Sequence, residues 1–204
     1  MTTCLLATTY FGPVQWYQKL HRYDKALVEC MENFPKQTFR NRCVIASTHG
    51  IQALTVPVTH ESGKSLTRDM RISNHGNWQH LHWNAISSAY GKSPFFEFYA
   101  DDLWPFFEQK WEFLIDFNEA ITHKICELIQ IEPQMERTSV YLPSGQTAST
   151  ADFREVIRPR HPLPDPDFTP RRYYQVFEQQ QGFLPNLSIL DLLFNEGNES
   201  ILYL

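Results

Sequence analysis

A short polar segment before a predicted strand has the residue types that bind an anion. Lys36, Arg40 and Arg42 fall within seven residues of one another, together with an amide and a hydroxyl. Arginine offers a planar pair of donors and lysine a point charge, so such a loop can hold a phosphate. Alternatively, Lys36 and Arg40 are solvated while Arg42 pairs with Glu29 or Glu32. The residues predicted to bind the phosphate are Lys36, Arg40, Asn41 and Arg42.

A second group combines histidines with tryptophans at the start of a predicted helix. His82 falls on the apolar face beside Trp78, where partial burial would lower its pKa and keep it neutral as a general base. The alternative is a core histidine satisfied by a backbone carbonyl. His80 lies two positions away on another face, so the two histidines cannot share a metal ion. We therefore predict His82 as the catalytic residue, Tyr10 and Trp78 as rings that stack on a ligand, and no metal site.

Common catalytic signatures are absent from the sequence. No Gly-rich phosphate loop, HExxH pair or GxSxG turn occurs, so the cofactor is unknown. The cysteines are scattered without zinc-ligand spacing, so we expect them to be reduced and free of metal: Cys4, Cys30, Cys43 and Cys126.

Composition excludes several classes of protein. The net charge of −5 argues against a general nucleic-acid binder, and 42% hydrophobic residues supply a core. No apolar run reaches the roughly 18 residues that cross a bilayer, and no secretion signal is recognisable. We expect a cytoplasmic protein with a small-molecule ligand, no nucleic-acid partner and no membrane span. The oligomeric state is not predicted.

The amino-terminal elements that would position these residues read as a βαβ unit. Residues 4–9 form an apolar strand, a helix follows Gly12-Pro13 up to about Tyr23, and residues 25–32 return as a second strand. Residues 43–46 and 52–58 then read as a hairpin, with Pro57 marking an edge.

Two helices are predicted in the middle of the chain. Apolar residues recur at helical spacing from Trp78 until Gly91, with Asn77 as the amino-terminal cap. A longer amphipathic stretch predicts one helix over residues 105–129. Asn118 lies beside its inward face and needs a partner.

The carboxyl-terminal part divides the chain into predicted units. Residues 1–141 form the main domain, and the Pro-rich residues 142–170 form a loop or linker. Residues 171–204 then contain a strand at 173–177 and a helix that begins at Ser188, with Asp191 at the spacing of a capping box. The apolar face of this helix predicts that the tail docks on the main domain.

Taken together, several segments resemble the WbqC-like protein family. They are residues 10–17, Asp24, residues 36–43, 54–58 and 78–96. Residues 173–177 and 187–195 are similar to Bacteroidetes-type members. The family takes its name from a gene among those of surface-polysaccharide (O-antigen) biosynthesis. The Asn41-Arg42 pair, Pro57 and the helix from Trp78 to His82 match its motif positions.

The predicted fold is α/β, with a βαβ-like start, a mixed sheet with a hairpin edge, central helices and a packed carboxyl-terminal helix. Such a fold places a site outside the carboxyl ends of the strands, where the loop after residue 9 meets other loops. The resemblance implies a transferase-like enzyme acting on a sugar nucleotide or another phosphorylated precursor. The alternative is a noncatalytic binding or assembly module that uses the aromatic segment Tyr10 to Tyr17 and the tail as interaction surfaces.

Overall fold

The structure is a computed structural model that describes residues 2–59, 65–144 and 150–204. Its strands are β1 (Thr3–Ala7), β2 (Lys25–Glu29), β3 (Arg42–Ser47), β4 (Gly50–Thr55), β5 (Val58–Thr59), β6 (Arg71–Ile72), β7 (Met135–Arg137) and β8 (Thr150–Asp152). Its α-helices are α1 (Val14–Arg22), α2 (Trp78–Tyr90), α3 (Phe96–Leu103), α4 (Pro105–Glu108), α5 (Leu114–Leu128), α6 (Glu178–Gln181) and α7 (Ile189–Glu196). The predicted α/β class is confirmed.

The predicted βαβ start is present. β1 and β2 pair in parallel with Leu5 opposite Leu27, and α1 connects them. β1 is almost wholly apolar and buried, as expected of a strand covered on both faces. Pro13 precedes α1, where its fixed φ suits the entry into a helix.

Two further parallel strands extend this unit into a sheet of order β7-β2-β1-β8. β8 lies inside the segment predicted as a loop. It is short and contains Thr and Asp, so its sequence carries no strand signal, and the strand forms because its backbone pairs with β1. The predicted hairpin is confirmed as β3 and β4, which form an antiparallel sheet of their own beside the parallel one.

The prediction of one helix over residues 105–129 is wrong. α3 ends before Pro105, and this proline begins the short α4. The chain then extends, because Phe113 pairs with Arg71 and Leu114 N–H donates to the Met70 carbonyl, before α5 begins. Tertiary pairing thus interrupts a segment whose apolar spacing favours a helix. The predicted α2 is confirmed, although the Asn77 side chain accepts no capping hydrogen bond.

The carboxyl-terminal tail contacts the first elements of the chain. Ser188 N–H donates to the Val44 carbonyl, and Ile189 N–H donates to the Gly12 carbonyl. Ser188 caps α7, whereas Asp191 binds Tyr173 and does not close a capping box. The strand predicted at 173–177 is absent, since these residues lie in an irregular segment. The proposed boundaries between units stay predictions.

Within the described ranges, no helix has the length and apolar character needed to cross a bilayer.

Candidate functional site

The four strands of the parallel sheet end at one edge, and polar side chains gather there. Glu29 ends β2, Asp152 ends β8, and Thr138 follows β7. Thr8 follows β1 and is buried. In open parallel sheets, ligands bind outside the carboxyl ends of the strands. We call these ends the carboxyl edge.

Glu29 connects the end of β2 to the residues that follow β7. Its Oε1 accepts hydrogen bonds from Thr138 Oγ1 at 2.9 Å and from the Met31 N–H at 2.7 Å. Its Oε2 accepts from the Leu142 N–H at 3.1 Å. A fully buried carboxylate with three donors is well satisfied, so Glu29 ties the end of β2 to the loop after β7.

Arg154 follows β8 and forms ion pairs at the same carboxyl edge. Its Nε and Nη2 donate to the two carboxylate oxygens of Asp152 at 2.9 and 2.6 Å. Its Nη1 lies 3.6 Å from Glu29 Oε2. This two-bond geometry fixes the guanidinium, so Arg154 supplies a buried positive charge in a defined position.

Arg40 forms a second buried ion pair next to this edge. Its Nε and Nη2 lie 2.9 and 2.5 Å from Glu32 Oε1. Burial is the largest effect on both groups: it lowers the pKa of Arg40 and raises the pKa of Glu32. Asn118 Nδ2 donates to the Arg40 carbonyl at 2.8 Å and to Thr8 Oγ1 at 3.1 Å, which attaches the Arg40 loop to the end of β1.

A cleft of about 440 Å³ opens beside the Glu32–Arg40 pair. We call it the edge cleft, and it is lined by Met31, Glu32, Asn33, Pro35, Tyr141 and Glu155. Tyr141 is half exposed. Lys36 follows Pro35 and is exposed. The edge cleft therefore combines an aromatic ring, carboxylates and nearby cations.

A separate buried cluster contains the predicted catalytic histidine. His82 Nδ1 lies 2.9 Å from Tyr10 Oη, and the centre of the His82 ring lies 5.1 Å from that of Trp78. The Thr55 backbone also bonds to the His82 ring. Tyr10 Oη donates to Nδ1 or accepts from it, according to which ring nitrogen carries the proton. Burial lowers the pKa of His82 to about 4, so the ring is neutral at pH 7.

Arg42 lies on the outer side of this cluster. Its Nε donates to Thr55 Oγ1 at 3.1 Å, so Thr55 contacts both Arg42 and His82. Asn41 Nδ2 donates to the Val56 carbonyl at 2.9 Å. The structure therefore divides the predicted site residues into two groups. Arg40 is connected to the edge cleft through its pair with Glu32, and Lys36 follows Pro35 of the lining. The others lie around Thr55 or contact His82: Tyr10, Asn41, Arg42, Trp78 and His82.

The ion pairs differ from the alternative drawn from the sequence. Glu32 pairs with Arg40, which is buried, and not with Arg42. Sequence reasoning missed Asp152 and Arg154, because β8 was not predicted and nothing placed them at the sheet. Glu29 could have been identified, since it lies in the predicted second strand at the edge where ligands bind.

No group of three His, Cys, Asp or Glu residues in the described part of the chain could hold a metal ion.

Comparison with known proteins gives one family and one curated relative. The model of the WbqC-like protein family matches residues 8–158, which is more than half of the chain. The chain is also 26% identical over 216 residues to an uncharacterized protein, Rv1507c, of Mycobacterium tuberculosis (strain ATCC 25618 / H37Rv). That match covers 96% of this chain and 91% of the relative. No solved structure matches. The resemblance to Bacteroidetes-type members stays a prediction, but the chain belongs to the WbqC-like protein family.

Proposed function

We propose that this protein is a transferase of surface-polysaccharide biosynthesis that acts on a sugar nucleotide or another phosphorylated precursor. The observation that carries the proposal is the edge cleft, which lies at the carboxyl edge and is lined by Glu32, the partner of the buried Arg40. Its volume of about 440 Å³ falls within the range of small-molecule sites.

The chemistry of the lining suits a sugar that carries a phosphate. Tyr141 presents a half-exposed ring on which a sugar can pack. Asn33 and Glu155 offer amide and carboxylate groups to sugar hydroxyls. Lys36 follows Pro35 of the lining, and Arg40 pairs with Glu32 of the lining. They would neutralise the phosphate.

The catalytic role of His82 stays a prediction. In this structure Nδ1 of His82 is hydrogen-bonded to Tyr10, the Thr55 backbone interacts with the ring, and the residue is 7% exposed. A base must reach the proton that it abstracts. We therefore assign no proton transfer to His82 in the edge cleft, and we treat its contacts with Tyr10 and Thr55 as the features that position it.

The alternative, an assembly module that binds through the aromatic segment and the tail, finds no support in the aromatic segment. The side chains of Tyr10, Phe11, Trp16 and Tyr17 are buried in the core. An interaction surface needs exposed apolar area. As folded, this segment stabilises the domain and offers no such surface.

Thermal unfolding in the presence of candidate ligands tests the proposal. The panel contains UDP-, dTDP-, GDP- and CMP-sugars at millimolar concentration, followed by mass spectrometry of mixtures with acyl donors. A ligand at about 100 times its Kd adds about 2.7 kcal/mol to the free energy of unfolding, so even modest binding is measurable.

Two tyrosine variants locate the binding site. Tyr141→Ala removes the ring of the edge cleft and should weaken binding of a stabilising sugar nucleotide by about 0.5 to 1.5 kcal/mol. Tyr174→Ala is the matched control, because Tyr174 is similarly exposed and does not line the edge cleft. Absence of stabilisation by every member of the panel would contradict the proposal.

A further inference from the structure

The buried guanidinium of Arg40 is bound by a carboxylate that also lines the edge cleft. The side chain of Arg40 is 5% exposed and that of Glu32 is 14% exposed. Both N–H donors of Arg40 point to one oxygen, Glu32 Oε1. Among the residues that the structure describes, none donates a hydrogen bond to Glu32 Oε2. Within the described part of the chain, Glu32 thus covers Arg40 without a donor on its own second oxygen.

The neighbouring carboxylates are held differently. Glu29 accepts three hydrogen bonds through both oxygens, and Asp152 takes one donor of Arg154 on each oxygen. Among residues 2–59, 65–144 and 150–204, Glu32 accepts side-chain hydrogen bonds on one oxygen, from Arg40. Burial also raises the pKa of Glu32 and lowers that of Arg40. Both shifts mean that removal from water disfavours the charged forms of the pair.

We propose that Glu32 occupies the place of a ligand's anionic group, and that a phosphate entering the edge cleft displaces Glu32 and binds Arg40 through the same two N–H donors. The exchange replaces one anion by another, so Arg40 never loses its counter-charge. This inference rests on the proposed function only for the identity of the ligand, a phosphorylated sugar precursor.

The charges around Arg40 are compatible with this exchange. The positive charge of Arg154 reaches Arg40, but Arg154 is itself paired with Asp152. The negative charge of Glu155 also reaches Arg40, and the Glu155 carboxylate pairs with Arg158. Glu29 accepts three hydrogen bonds, and its negative charge still reaches Glu32. The ligand must therefore displace Glu32 in the presence of these paired charges.

Binding of inorganic pyrophosphate tests the proposal without any knowledge of the substrate. Isothermal titration compares the unmodified chain with Glu32→Gln, which removes the competing charge and keeps the shape of the side chain. Glu32→Gln should bind pyrophosphate about tenfold or more tightly, since a charge-assisted bond no longer has to be exchanged. Adding Arg40→Met to Glu32→Gln should abolish this gain.

Glu112→Gln is the matched control. It frees Arg71 from an ion pair in the same way, but that pair is exposed on the surface. It should not change pyrophosphate affinity.

Glu32→Asp is the second test variant, because Glu32→Gln leaves a buried cation unpaired. Asp keeps the negative charge but has a side chain that is shorter by one methylene. This variant should increase pyrophosphate affinity by less than Glu32→Gln does.

The outcomes separate this inference from the proposed function. Pyrophosphate affinity that is unchanged or lower in both Glu32 variants overturns the displacement of Glu32, even where a sugar nucleotide binds. The same holds for a gain that survives Arg40→Met. An Arg40-dependent gain supports the displacement even where every sugar nucleotide fails, in which case the proposed function alone is wrong.

Discussion

Tyr10 and His82 form a buried polar pair through a direct hydrogen bond. Tyr10 Oη lies 2.9 Å from His82 Nδ1, and the other side of the imidazole bonds to the Thr55 backbone. The helical spacing of α2 predicts that His82 faces the core. The sequence does not indicate its partners, because Tyr10 and Thr55 lie far away in the chain and meet His82 only in the fold.

Tyr10→Phe tests this pair by its effect on stability. The variant removes the Tyr10 hydroxyl and so takes the hydrogen-bond partner away from Nδ1 of a buried imidazole. The free energy of unfolding should fall by about 1 to 3 kcal/mol, the cost of an unsatisfied buried group. Urea denaturation followed by circular dichroism measures it.

Tyr174→Phe is the control for this measurement. Tyr174 is exposed, so the same deletion there should change stability by less than about 0.5 kcal/mol. Equal losses in the two variants would show that the Tyr10 hydroxyl contributes nothing specific.

At the scale of elements, the Pro-rich segment is attached to α1 by a buried ion pair. Lys19 Nζ lies 2.7 Å from Asp165 Oδ2, and Gln15 Nε2 donates to the same oxygen at 2.8 Å. The Lys19 ammonium also lies 4.6 Å from the centre of the Phe153 ring. Composition predicts an irregular segment here, but it does not predict this contact, because a lysine on a helix is normally solvated.

Asp165→Ala should be strongly destabilising. It leaves the ammonium of Lys19, which is 1% exposed, without a counter-charge, and removing one partner of a buried pair costs about 3 to 5 kcal/mol. The double variant Lys19→Met with Asp165→Ala should recover most of this loss, because no buried charge remains. Urea denaturation of both variants gives the two values.

An exposed ion pair provides the comparison. Lys25 and Glu136 pair at 2.7 Å on the surface, and Glu136→Ala should cost less than about 1 kcal/mol. If Asp165→Ala cost no more than Glu136→Ala, the Pro-rich segment would not be held by this pair.

Across the whole molecule, sequence reasoning found the βαβ start, the hairpin and α2, because local spacing determines them. It missed β8 and the break between α4 and α5, because pairing with distant residues determines those. The same division applies to the site. The Lys36 to Arg42 segment was recognised as a group, but its separation depends on distant partners, because Arg40 pairs with Glu32 and Arg42 donates to Thr55 of the neighbouring strand.

Two buried groups on different elements should give opposite dependences of stability on pH. Burial raises the pKa of Asp191 from 3.8 to about 6, and its Oδ2 accepts hydrogen bonds from Tyr173 and Gln175. A raised folded-state pKa favours folding below pH 3.8, and the benefit is lost as the pH rises towards 6. Asp191→Asn should therefore gain stability relative to the unmodified chain by about 3 kcal/mol between pH 4 and 7. A constant difference across that range would contradict this.

His82 should act in the opposite direction over almost the same range. Burial lowers its pKa from 6.5 to about 4, so its contribution is complete above pH 6.5 and is lost as the pH falls towards 4. In the unmodified chain the two slopes oppose each other, and together they should largely cancel between pH 4 and 6. His82→Gln should remove the contribution of His82 to the pH dependence of stability. The free energy of unfolding of this variant should therefore fall by about 3 kcal/mol, relative to that of the unmodified chain, as the pH rises from 4 to 6.5. The double variant His82→Gln with Asp191→Asn should follow the pH dependence of the unmodified chain. Urea midpoints at half-unit pH steps measure all four proteins, and a double variant with the slope of either single variant would show that one of the two groups does not titrate as its burial predicts.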